Sequence, residues 1–227
     1  MEQKSHQTCT ALSLASYLLS LLCLLPVSVV VAQPGFFGPP EPPDIFDDWE
    51  DWSYNNTDPG FFTLSNTNGE VLRVTGDRGW VQSARQYENF SLKGEFRFLE
   101  PDSDSGIFVR VEPGTDFIFG WPGDAYQVQI REISVNDTDR PLPLLNLYRH
   151  VVAEGRTRYD RESVFDLYTG VGEWQQFEII LKDNFLTASL NGETVLRATD
   201  LENSVGYIGF QSEKGIVEYR NLEIESR

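Results

Sequence analysis

The chain has 227 residues, with 18 basic and 35 acidic side chains and a net charge of −17. A surface this acidic repels phosphodiester backbones and anionic lipid, which excludes nucleic acid as a partner and leaves neutral ligands or divalent cations. The first element is the apolar run from Ala11 to Ala32, preceded by Lys4 and ending in small residues, which reads as a secretory signal peptide spanning residues 1–32. The same run is long enough to cross a bilayer, so a membrane partner enters only if the segment is left uncleaved. Either way the expected location is secreted, or periplasmic and cell-envelope. Cleavage removes one acid, one base and both cysteines, Cys9 and Cys23, and the charge stays at −17. The mature chain then has no disulfide, thiolate nucleophile or cysteine-ligated metal.

Residues 33–44, with "QPGFFGPPEPP", form a proline-rich linker, and residues 45–227 form one domain. From Glu70 onward, short strand patterns are separated by turn residues: "EVLRVTG", "WVQSAR", "FSLKGEFRFLE", "GIFVRVE", "AYQVQIREI", "LNLYRHVV", "EWQQFEIILK", "FLTASL", "ETVLRA", "GYIGFQ" and "IVEYRNLEI". Asn191-Gly192 is a strong type I′ hairpin signal and Asp183-Asn184 a weaker one. No run repeats apolar residues at helical spacing, so helix is minor. Strands at this spacing without crossover helices predict an all-β fold, an antiparallel β-sandwich or jelly roll. Alternation along "GIFVRVE" buries Ile107, Val109 and Val111 and turns Phe108, Arg110 and Glu112 outward. Along "LKGEFRF" it buries Phe96 and Phe98 and turns out Glu95 and Arg97. In "DAYQVQI" it puts Gln127 and Gln129 on the polar face.

Chemistry is narrowed by counting. After cleavage His150 is the only imidazole, so a multi-histidine zinc site is excluded and any histidine base must be His150. The alternative for His150 is a solvated strand position. The paired carboxylates of ordinary glycosidases, spaced E-x-D-x-E on one strand, do not occur. "DSDSG" lacks the spacing of a calcium loop and reads as a turn. Of five tryptophans, Trp121 in the loop "FIFGWPGD" is the candidate to stack on a sugar ring. Asn55, Asn89 and Asn136 sit in glycosylation sequons.

Six runs in order, "GWVQSARQYENFSLKGEFRF", "DSGIFVR", "GDAYQVQI", "LNLY", "GEWQQFEIILKDNFLTASLNGETV" and "GYIGFQSEKGIVEYRNLEI", resemble the 3-keto-disaccharide hydrolase family. This is the 3-keto-alpha-glucoside-1,2-lyase/3-keto-2-hydroxy-glucal hydratase domain, and the resemblance covers roughly residues 45 to 225. It implies a concanavalin A-like lectin/glucanase sandwich and a carbohydrate ligand or substrate. It further implies elimination from glycosides oxidised at C3, where one base removes the acidified C2 proton and the glycosidic oxygen leaves. No cofactor is certain from the resemblance, though it allows a divalent metal at the enolate. Carried over by motif, Arg110 matches "NSGIFxR", Gln129 matches "GYEVQI", Tyr148 matches "GALY" or "GAIY", and Gln211 matches "GxIGLQ". Asp104 stands where the first motif has asparagine, and Gln127 where the second has glutamate. The expected substrate-binding set is therefore Arg110, Gln127, Gln129, Tyr148, Gln211 and Trp121, with His150 as the base and Glu95 in reserve. The competing reading is a non-catalytic glycan-binding or wall-associated module using the same face.

Overall fold

The computed structural model describes residues 45–46, 48–65, 70–133, 144–149, 156–202 and 204–227, with the backbone alone at Tyr148, Arg149 and Arg156. Residues 1–44, His150 and the Asn136 sequon lie outside the described residues. In chain order the strands are β1 (Ser53–Asn55), β2 (Phe62–Ser65), β3 (Val71–Thr75), β4 (Gly79–Tyr87), β5 (Phe90–Phe98), β6 (Asp104–Val111), β7 (Phe117–Ile118), β8 (Trp121–Pro122), β9 (Tyr126–Arg131), β10 (Leu147–Arg149) and β11 (Arg156–Tyr159). Among the described residues the one α-helix, α1 (Arg161–Leu167), is followed by β12 (Gln175–Lys182), β13 (Phe185–Leu190), β14 (Glu193–Thr199), β15 (Gly206–Lys214) and β16 (Ile216–Ser226). Asp160 starts the helix by accepting from the Ser163 N–H.

Two large antiparallel sheets result, with β7 and β8 forming a separate two-stranded one. The six-stranded sheet runs β1-β4-β15-β6-β9-β10, and the eight-stranded sheet runs β11-β14-β13-β12-β5-β16-β3-β2. Period-two alternation supplies the layer between them: Val81, Ile107, Val109, Tyr126, Val128, Ile130, Ile208 and Phe210 from the first sheet meet Leu92, Phe96, Phe98, Ile179, Leu181, Val217 and Tyr219 from the second. The predicted hairpins are present. Asn191 and Gly192 have φ of 47° and 90°, the left-handed pair a type I′ turn requires, and Asp183 has φ of 53°. Strands β1, β2, β7, β8 and β11, of two to four residues, carry too few residues to show a period and were not expected.

Strand β6 departs from simple alternation. Tyr207 pairs with Val111 and Gly209 with Phe108, so β6 carries one residue more than β15 across the same interval. The extra residue is a bulge, and Arg110 within it takes the left-handed conformation at φ 54°. Two expectations are corrected here. Arg110 is 1% exposed rather than outward-facing. Val111, expected in the inter-sheet core, is switched to the opposite face, where it joins a second apolar cluster with Trp80, Phe108, Trp121 and Ala125. Phe108 does face outward, but this cluster and the β7–β8 hairpin cover it.

Candidate functional site

The outer face of the six-stranded sheet is set by which alternates the core leaves over. Because Tyr126, Val128 and Ile130 point inward, Gln127 and Gln129 point outward from β9; Gln211 and Glu213 do the same on β15. Strand β6 lies between these two, and the register puts Gly106 opposite both Gln129 and Gln211. Glycine is required there by space. A Cβ on residue 106 would stand 2.4 Å from Gln127 Nε2 and 2.8 Å from Gln211 Oε1. Its absence lets side chains from two non-adjacent strands meet over the middle one.

What meets is a continuous row of hydrogen bonds. Gln127 Nε2 donates to Gln129 Oε1 at 2.7 Å and to Gln211 Oε1 at 2.8 Å. Gln129 Nε2 donates to Asp104 Oδ1, and Gln211 Nε2 donates to Glu213 Oε2 at 2.9 Å. Three neutral amides thus connect two carboxylates, with donors pointing toward the acid at either end. The amides are 1–3% exposed, so in this conformation they bind one another and hold the acids. Burial without pairing would cost each amide several hydrogen bonds, and the row supplies them.

Glu213 is the chemically distinctive member. It is only partly buried, so a ligand can reach it. Burial pushes its carboxyl above the ordinary glutamate range, while Arg78, Arg131 and the Gln211 N–H pull in the other direction. Arg131 reaches Asp104 Oδ2 from Nη1 at 3.5 Å and Asp102 Oδ1 from Nη2 at 3.8 Å, both longer than a good charge-assisted hydrogen bond. Its Nε is buried with no hydrogen-bond partner among the described residues. A carboxyl of raised pKa therefore stands at one end of the row, and a loosely held guanidinium lies against the acid at the other. Behind it, from the core side, the Ser105 hydroxyl donates to the Gln211 carbonyl at 2.6 Å and lies 2.8 Å from the Tyr219 hydroxyl.

Beside the amides, the same face turns aromatic. Trp80 pairs with Gln211 across β4 and β15, and its ring meets Phe108 at 6.0 Å and Phe117 at 4.8 Å. Trp121 packs on Phe108 at 6.2 Å and is 7% exposed, so it forms a wall of the face. Strand β8 carries it in a hairpin with β7, whose turn residues Phe119 and Gly120 have φ of 55° and 94°.

The structure therefore brings together Gln127, Gln129 and Gln211, with Trp121 alongside. Tyr148 pairs with Gln127 in the backbone register of β9 and β10. Two expected residues are elsewhere. The Arg110 guanidinium donates to the backbone oxygens of Asp183, at 2.5 Å, and Glu88, so the bulge sends it to staple turns at one end of the sandwich. Glu95 belongs to the other sheet, where it accepts from Arg220 Nε at 2.6 Å and Asn221 Nδ2 at 2.9 Å. Glu213 was missed because the strand "GYIGFQ" was ended at Gln211; continuing the alternation two residues places Glu213 on the same face.

The sequence model of the 3-keto-alpha-glucoside-1,2-lyase-like domain matches residues 43–225. Among curated proteins none matches by sequence. Among solved structures, the chain is similar to two candidate glycosyl hydrolases from Parabacteroides distasonis ATCC 8503. One has a TM-score of 0.61 at 18% identity, over 82% of this chain and 98% of that one. The other has 0.58 at 17%, over 79% and 90%. A Bacillus licheniformis β-glucanase gives 0.50 at 10% identity, over 81% of this chain and 96% of that one. At these identities the likeness establishes the fold, a jelly-roll sandwich of the concanavalin A-like lectin/glucanase kind.

Proposed function

The chain belongs to the 3-keto-alpha-glucoside-1,2-lyase-like domain family and is a carbohydrate-active domain, and from that premise we propose that it cleaves 3-keto glucosides by elimination at the outer face of the six-stranded sheet. The observation that supports this most is Glu213: a reachable carboxyl, raised in pKa, oriented by Gln211 and within the electrostatic influence of Arg78 and Arg131. A base of raised pKa is better matched to a weakly acidic carbon proton at neutral pH than an ordinary glutamate. In this reading Glu213 takes the C2 proton, and the C–H electron pair moves onto the C3 carbonyl as an enolate. Arg131, with Arg78 nearby, stabilises that oxygen. The enolate then expels the glycosidic oxygen from C1, which leaves as an alcohol with the proton that Glu213 took from C2. Water subsequently adds across the unsaturated sugar, its hydroxyl to C1 and its proton to C2.

The second reading is a glycan-binding module. It is favoured by the neutral amide at Gln127, where the matching motif carries a carboxylate. The export expected from the run Ala11–Ala32 is part of the proposal under both readings, and it supplies a compartment where glycans are present.

Product analysis with a 3-keto glucoside such as 3-keto-trehalose tests the choice. Turnover by wild type that Glu213→Gln lowers at least ~100-fold supports elimination. Sugar binding without turnover, with or without added divalent metal, would leave the binding module.

A further inference from the structure

Gln129 is bonded on one side to Asp104 and on the other to Gln127, two of the positions where this chain departs from the motifs it otherwise matches. That arrangement has a physical content. A carboxamide is a donor at nitrogen and an acceptor at oxygen, so within a row it transmits direction. An ionised carboxylate only accepts. With Asp104 accepting from Gln129 Nε2, the Gln129 oxygen faces residue 127, and residue 127 must donate. Glutamine donates there, and an ionised glutamate does not. Reversing the direction requires an amide at 104 and an acid at 127.

We infer that Asp104 and Gln127 form one coupled acid–amide exchange, transmitted through Gln129, in which the row carries a carboxylate at one of these positions and a donor at the other. Gln127 is then a positioning residue rather than a lost catalytic acid. Its second N–H, to Gln211 Oε1, has the same effect on the other arm, because it keeps the Gln211 N–H aimed at Glu213. A glutamate at 127 would turn both flanking amides over and set their oxygens against Asp104 and Glu213. The amides meet in the space that Gly106 leaves open, where each link is at hydrogen-bond distance, so a reversed amide sets like atoms against one another. Protonating that glutamate relieves only part of the conflict, since a carboxylic acid offers one donor where Gln127 offers two.

The stability of the row does not depend on any activity; the catalytic consequence rests on Glu213 being the base. The full chain is therefore compared as wild type, Gln127→Glu, Asp104→Asn and the double variant, by urea unfolding at pH 5 and pH 8 and by turnover of the 3-keto glucoside. Both single variants are expected to be less stable than wild type at pH 8. The loss for Gln127→Glu shrinks at pH 5, and adding Asp104→Asn recovers stability instead of adding to the loss. Turnover by Gln127→Glu falls more than 10-fold and its pH profile moves to the alkaline side, because a Gln211 oxygen now opposes ionisation of Glu213. If Gln127→Glu fails to fold, a folded, cooperatively unfolding double variant still supports the exchange, and an unfolded one overturns it. Additive losses in the double, or a Gln127→Glu variant as stable as wild type at pH 8, also overturn it. Coupled stabilities with no turnover by any variant would overturn the base assignment and leave the exchange standing.

Discussion

On the outer face of the eight-stranded sheet, polar side chains pair by charge and most of them meet water; on the outer face of the six-stranded sheet they are withdrawn from water and pair through neutral amides. Glu218 receives Arg73 and Arg97, each at 2.7 Å, and Glu95 receives Arg220. Lys93 stands 3.9 Å from Glu178 and 4.0 Å from Glu225. The exposed pairs, such as those of Lys93, contribute little each, about 0–1 kcal/mol, and tolerate loss of a member because water replaces it, whereas the buried Glu218 depends on its two arginines. The amide row has no such tolerance: a broken link leaves a buried donor or acceptor without a partner. The difference teaches where function can sit. The charged face satisfies its own charges. The amide face uses four side chains to orient a fifth, one reachable carboxyl.

Gly106→Ala should break the comparison most severely. The new methyl enters at the crossing point of the row, and unfolding free energy should fall by about 3 kcal/mol, with turnover lost, as urea titration and product analysis would show. Next comes Glu213→Gln, which should remove activity while leaving stability at neutral pH unchanged or improved. The sign follows from its raised folded-state pKa: stability from the protonated form is fully present below the unfolded value and is lost as pH rises through the folded one. Wild-type turnover should have an acidic limb, rising as Glu213 ionises, and pH–rate profiles should place that limb above the ordinary glutamate range.

On the charged face the expected effects are smaller and purely structural. Burial pushes the Glu218 carboxyl up, but Arg73 and Arg97 together hold it below its usual range. Its contribution is therefore present above the unfolded pKa and lost as pH falls through the folded one. Glu218→Gln should cost about 2 kcal/mol at pH 7, less near pH 3, with turnover unchanged. The smallest effect is expected for Trp174→Leu, about 0.5–1 kcal/mol from two cation–π contacts, measured by thermal unfolding.

Much of the fold was legible because one face of most strands is buried, and burial writes a period of two into the residues. That signal identifies a face but not a sheet. Glu95 and Gln129 both alternate outward, and only non-local pairing puts them on opposite sides of the molecule. It also assumes a regular ladder, so the bulge at Arg110 inverted the expectation for that residue and for Val111. Nor does outward mean exposed: Phe108 obeys the alternation and is still buried, because the β7–β8 hairpin, too short to show a pattern, lies over it. The glutamines were found through alternation and motif together. Their mutual bonding was not legible, since it depends on Gly106 opening the space between strands that are distant in the chain.

Trp174 lies beneath two guanidinium groups, Arg97 at 4.5 Å and Arg220 at 4.0 Å from its ring, whereas Trp80 and Trp121 are enclosed by other aromatic rings on the opposite side. Indole emission responds to what touches the ring, so the molecule contains two optically separable sets of reporters. Titrating a sugar should perturb the emission of Trp80 and Trp121 and leave that of Trp174 still. Raising the salt concentration should do the reverse, and single-tryptophan replacements would show which side of the sandwich a ligand has chosen before any product is measured.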